Sequence, residues 1–143
     1  MMMDGVDRMI EQIKRHEGVK LKPYHCTAGK LTIGVGRNIE DNGISEREAD
    51  FLLMNDLSAM ADAAKSYEWY AGLNEPRKAV IINMLFNLGQ PRFDKFVNTK
   101  QFLADGMYEE AAEEMLNSKW ARDVGRRAEE LSQQMATGDW YVG

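Results

Sequence analysis

The stretch KLKPYHCTAGKLTIGVGR, Lys20–Arg37, decides the fold class, because the hydrophobic period of the chain changes there. Leu31, Ile33 and Val35 alternate with Thr32, Gly34 and Gly36, the period-two pattern of a strand with one apolar face. Thr27-Ala28-Gly29 supplies the preceding turn and Lys20–Tyr24 a partner strand, so a hairpin is predicted. Asp41-Asn42-Gly43 marks another turn. No other segment reads persuasively as β.

On both sides the period is helical. Val6, Met9, Ile10 and Ile13 follow the i, i+3, i+4, i+7 spacing and predict a helix over Asp4–Glu17, with Gly18 as its C-terminal cap. Downstream, Ser45 and Glu48 form a capping box that opens a helix to about Lys65, with Ala49, Leu52, Leu53, Leu57, Met60, Ala61 and Ala64 on its apolar face. Asn74 and Pro76 start the most hydrophobic helix, with Val80, Ile81, Met84, Leu85 and Leu88, ended by Gly89 and expected to be the central buried one. Shorter helices are predicted over Arg92–Phe96, Thr99–Ala104, Met107–Asn117 and Val124–Met135, with the segment around Trp120 as a connection. One helix, one small hairpin and then helices throughout make the class α+β, mainly α.

Composition narrows the function classes. The 143 residues fit one domain, and 44% hydrophobic with 29% charged residues can bury a core. Cys26 is the single cysteine, so no internal disulfide forms, and with two histidines a Cys/His zinc site is not expected; the metal expectation is none. A net charge of −5 argues against a dedicated nucleic-acid binder, although Lys14, Arg15, Lys20, Lys22, Lys30 and Arg37 are locally basic. No apolar run approaches the ~20 residues of a membrane span, and Met1-Met2-Met3-Asp4 lacks the start of a secretory signal. A chain made in a reducing cytosol, without stable membrane insertion and without unaided export, is the expectation.

Glu17 is the most informative single residue. Four positions beyond Ile13, it falls on the apolar stripe at the C-terminal end of its helix. Partial desolvation and the negative end of the helix dipole would both favour the protonated carboxyl that a general acid requires. A solvated last-turn glutamate is the competing reading, and position alone does not choose between them.

The surrounding residues carry a resemblance. His16-Glu17-Gly18-Val19-Lys20-Leu21-Lys22-Pro23-Tyr24 and then Thr27-Ala28-Gly29-Lys30-Leu31-Thr32-Ile33-Gly34-Val35-Gly36 closely resemble the N-terminal signature of phage lysozymes of the T-even and lambdoid type, glycoside hydrolase family 24. The resemblance continues through Arg77–Gly89, Ser118-Lys119-Trp120, Arg127-Ala128 and Thr137-Gly138-Asp139-Trp140, with a shortened, divergent stretch between about Asp41 and Tyr70. It implies one lysozyme-like catalytic domain over residues 1–143, two-lobed, with a small β-hairpin lobe at about 18–60, a helical lobe at about 1–17 and 61–143, and a cleft between them. It also implies hydrolysis of the β-1,4 bond between N-acetylmuramic acid and N-acetylglucosamine in bacterial peptidoglycan, for host-cell lysis. No cofactor is implied. The enzyme is expected to be a monomer that stays in the host cytoplasm until a holin opens the membrane, and then to act in the periplasm.

The family's catalytic residues are a glutamate, an acidic residue after eight positions and a threonine after five more. Here that spacing reads Glu17, Cys26 and Thr32, so a cysteine stands where the best-known members carry aspartate. A thiol of ordinary pKa, near ~8.5, is mostly neutral. Lys22, His25, Lys30 and Arg37 lie close in sequence and could favour a thiolate. Three readings of Cys26 follow: it replaces the aspartate, it leaves Glu17 and Thr32 to sustain catalysis alone, or it marks an impaired enzyme; a small buried hydrophobe would fit the last two. Alternation puts Thr32 on the polar, cleft-facing side, although threonine is also simply a good strand residue.

Other positions follow from the resemblance. Arg127 matches an arginine that pairs with the catalytic glutamate, against the alternative of an ordinary exposed arginine beside Arg126. Phe86 and Asn87 match a substrate-contacting segment, with core packing an equal reading for Phe86. Trp120 and Trp140 match packing residues. Arg37 stands where some relatives have histidine, which leaves the ion pair made by that histidine open. A lytic transglycosylase and a catalytically impaired peptidoglycan-binding protein are the alternative functions.

Overall fold

The computed structural model describes residues 4–143, so Met1–Met3 of the N-terminal reading lie outside the described residues. The chain divides into two compact units, Met1–Phe51 and Leu52–Gly143.

The first unit opens with α1, Gly5–Glu17, one residue from the predicted span. The Asp4 carboxylate caps it by accepting the Asp7 N–H at 2.8 Å, and the Gly18 N–H closes the other end on the Lys14 carbonyl. The helix carries no buried residue. A three-stranded antiparallel sheet follows: β1 (Lys20–His25), β2 (Leu31–Gly34) and β3 (Arg37–Asn38), in that order. The predicted hairpin is β1–β2, paired Tyr24 to Thr32 and His25 to Leu31. Its register breaks between Lys20 and Tyr24, around Pro23, which has no N–H to give the ladder and is tolerated on an edge strand. The two-residue β3 was not predicted, because so short a strand has no period to read.

The expected turn at Asp41–Gly43 is the end of a one-turn helix, α2 (Ile39–Asn42), capped by the Asn38 side chain. Next comes α3, Glu46–Ala64, whose capping box is formed as predicted: the Glu48 N–H donates to Ser45 Oγ at 3.1 Å and the Ser45 N–H to Glu48 Oε1 at 2.9 Å. Glu48 also receives both guanidinium nitrogens of Arg37, at 2.9 and 2.7 Å. That fork, helped by the Ser45 N–H, holds the Glu48 carboxyl down to about 2. Arg37 thus makes an ion pair of its own at the position where the sequence left one open.

α3 continues past Phe51 into the second unit. Its expected apolar face is covered only toward its C-terminal end, where Ala64 is buried and Met60 packs on the core. The core is built around α4 (Glu75–Leu88), capped by Asn74, with Val80, Ile81, Met84, Leu85 and Leu88 buried as expected. The short α5 (Gln90–Phe93) and α6 (Val97–Ala104) bring in Phe93 and Leu103. α7 (Tyr108–Leu116) packs between α6 and α9 (Arg126–Thr137), adding Met115 and Met135. Each such side chain contributes ~1.5–3 kcal/mol on burial. The connection expected around Trp120 is instead the helix α8, Lys119–Val124, capped by Ser118, whose Oγ accepts the Ala121 N–H. On the core's edge Tyr67 stacks on Trp69, with ring centroids 4.9 Å apart, and donates its hydroxyl to the Asp94 carboxylate; burial and that bond push the phenol up to about 12.

Candidate active site

The turn joining β1 to β2 is tied by the Cys26 N–H to the Lys30 carbonyl at 3.0 Å and by the Gly29 N–H to the Cys26 carbonyl at 2.8 Å. Folding back in this way, the turn aims the backbone N–H groups of Lys30 and Ala28 at the Cys26 sulfur, and the Thr32 hydroxyl reaches it as well. The Lys30 N–H is the largest influence, and together these donors hold the thiol below its ordinary value although partial burial opposes them. The cations expected to favour a thiolate are not the cause. Lys30 Nζ is turned to Glu40 and Asp41, at 3.5 and 3.3 Å, and Arg37 is held by Glu48. Oriented peptide dipoles do what the sequence assigned to side-chain charges. Cys26 is partly exposed, so it is not the small buried hydrophobe of the bland reading.

Thr32 departs from expectation. The alternation placed it on an open face, yet it is only 3% exposed, while Leu31 and Ile33 are half-buried. It sits in the middle strand, flanked by Tyr24 and Asn38, and the Cys26–Lys30 turn folds over it. Its hydroxyl donates to the Lys30 carbonyl at 2.8 Å. Period two separated the faces of β2 but could not say which one the turn would cover.

Glu17 is the last residue of α1, and its side chain is exposed rather than desolvated on an apolar stripe, which corrects the expected role of burial. It reaches the sheet. A Cβ built on Gly36, in the β2–β3 turn, would stand 2.7 Å from Glu17 Oε2 and 3.2 Å from its carboxyl carbon. Glu17, Cys26 and Thr32 therefore all belong to the first unit, with Cys26 at the start of the turn that leads into Thr32 and the glutamate laid on the next turn.

The remaining candidates belong to the second unit. Phe86 is 45% exposed, because α4 spends Leu85 and Leu88 on the core and turns Phe86 outward; core packing is not its role. Asn87 is exposed too, and its Oδ1 accepts the Trp120 indole N–H at 2.8 Å, while its amide N–H groups have no acceptor among the described residues. Trp120 is buried as expected, whereas Trp140 is 59% exposed: α9 has ended before Gly138, and the chain leaves the core there. Arg127 is anchored on α4, its Nε and Nη2 donating to Asn83 Oδ1 at 2.9 and 2.7 Å, while Arg126 is exposed, so the adjacent arginines are distinguished. Asn83 was not foreseen, although a lone amide between Ile82 and Met84 was the available signal. Among the described residues no group of three or more His, Cys, Asp or Glu stands where it could hold a metal ion. None of their helices is long and apolar enough to cross a membrane.

Residues 14–136 match the family model described as phage lysozyme. A protein named as a probable T4-type lysozyme in Dictyostelium discoideum is 25% identical over 93% of this chain and 96% of its own length. An endolysin of Acyrthosiphon pisum secondary endosymbiont phage 1 is 32% identical over 80% of both chains. The endolysin of Salmonella phage P22 is 31% identical over 64% of this chain and 68% of its own.

Proposed function

The chain belongs to the phage lysozyme family, and from that premise we propose that it is an endolysin cleaving the β-1,4 bond between N-acetylmuramic acid and N-acetylglucosamine of peptidoglycan to lyse a host cell. The observation that carries this reading is the gathering of the three residues on one small sheet: the Glu17 carboxyl lies against Gly36, and Cys26 opens the turn, closed by its N–H on the Lys30 carbonyl, that leads into Thr32. The N–H groups of Lys30 and Ala28 lower the Cys26 thiol, in the direction of the charge that an aspartate would bring at that place.

Glu17 protonates the leaving glycosidic oxygen. Cys26, as thiolate, stabilises the developing positive charge on the sugar and polarises the attacking water, and Thr32 fixes the sulfur and helps to hold that water. Arg127 has a supporting electrostatic role, and Phe86 and the free amide of Asn87 contact the glycan. The enzyme works as a monomer, without a cofactor, and reaches the periplasmic glycan after a holin opens the membrane.

The test is mass spectrometry of muropeptides from peptidoglycan digested by the purified chain. Reducing ends are expected; 1,6-anhydro ends would assign a transglycosylase, and no product would assign a binding protein. Glu17→Gln should lose activity by ~10²-fold or more with the fold retained, and undiminished lysis by that variant would remove the acid. In the series Cys26→Ala, Cys26→Ser and Cys26→Asp, only the last should preserve the rate at neutral pH. An Ala variant equal to the parent would make the thiol a bystander.

A further inference from the structure

We propose that Gly36 is a positioning residue for Glu17: its missing side chain is the seat on which the carboxyl rests. This rests on the reading of Glu17 as the acid and adds the element that aims it. Glu17 ends a helix with no buried residue, and its own side chain is exposed. What limits its carboxyl is the surface it lies on. A Cβ at position 36 would meet Oε2 at 2.7 Å, Cδ at 3.2 Å and Cγ at 3.4 Å, so three consecutive atoms of the side chain follow the bare backbone of that residue. The contact is with the free end of a flexible side chain. An added methyl group therefore displaces the carboxyl rather than the sheet, and the loss falls on the chemistry more than on the fold.

Gly36 has a second reason to be glycine, its φ of +66°, which L side chains rarely adopt. The same hairpin supplies the control. Gly34, with φ +71°, carries the same backbone constraint but has nothing within 4 Å of an added Cβ. Gly34→Ala and Gly36→Ala thus share the backbone penalty, and only the second touches Glu17.

The experiment compares these two variants of the full chain by thermal unfolding, by kcat and KM on soluble uncross-linked glycan strands, and by the 13C resonance of the Glu17 carboxyl. Similar losses of Tm are expected in both. Gly36→Ala should lower kcat a further tenfold or more, toward the ~10²-fold that a displacement near 1 Å costs, with KM within about twofold. The carboxyl resonance should move in Gly36→Ala and stay in place in Gly34→Ala. Equal kcat values, or an unmoved resonance in Gly36→Ala, would overturn the proposal. If Gly36→Ala does not fold, the pair Gly36→Asn and Gly34→Asn replaces it, because asparagine tolerates the left-handed region best among residues with a Cβ. A fully active Glu17→Gln would remove the acid reading while the resonance still decides the seat; an inactive Glu17→Gln with an unmoved resonance would remove the seat alone.

Discussion

The two units are stabilised by different means. Leu52–Gly143 is held by a dry interior in which Val80, Ile81, Met84, Leu85, Phe93, Leu103, Met115 and Met135 are fully buried. Among its described residues Met1–Phe51 has one buried side chain, Thr32, and it is held by a sheet ladder, five backbone or side-chain caps and the Arg37–Glu48 fork. Hydrogen bonds and ion pairs near water contribute little net free energy each but are strict about direction. Apolar burial contributes more and is indifferent to direction. The unit that carries Glu17, Cys26 and Thr32 is thus the one whose geometry is specified by oriented donors.

That contrast can be broken most forcefully in the interior. Met84→Ala should cost ~2–5 kcal/mol, whereas Leu21→Ala, at an 86% exposed position of β1, should fall within about 0.5 kcal/mol of the parent. Chemical denaturation of both variants checks the difference, and comparable losses would contradict the division of labour. A smaller effect of opposite sign is expected at Thr99, which is buried with its hydroxyl unpartnered among the described residues. Thr99→Val keeps the shape, removes the orphan and should raise stability by ~1 kcal/mol, read from the denaturation midpoint.

The smallest effect sharpens the picture of the first unit. Because the folded Glu48 carboxyl is held down to about 2 against 4.5 when unpaired, its ion pair contributes fully above about 4.5. That contribution is lost as pH falls from there toward about 2. The Tm difference between the parent and Glu48→Gln should therefore be largest near neutrality and shrink through that acid window. A difference that stays constant would show that the fork adds no pH-dependent stability.

Much of this was legible beforehand. The Ser45–Glu48 box, the Asn74 cap, the glycine stops and the apolar run of α4 act over three or four residues, so their signals lie next to one another in the chain. The helix α8 was missed although Ser118 is a cap of the same kind, because six residues offer too few apolar positions to show a period. α2 and β3 escaped for the same reason.

At the site the family resemblance pointed to Glu17, Cys26 and Thr32, since residue type and separation survive in any linear reading. What surrounds them did not survive it. The burial of Thr32, the acidification of Cys26 by peptide N–H groups, the turn of Phe86 toward solvent and the hold of Asn83 on Arg127 depend on which atoms folding brings within about 3 Å. Those meetings join backbone groups and residues as much as 44 positions apart, and a side-chain alphabet read in order records neither.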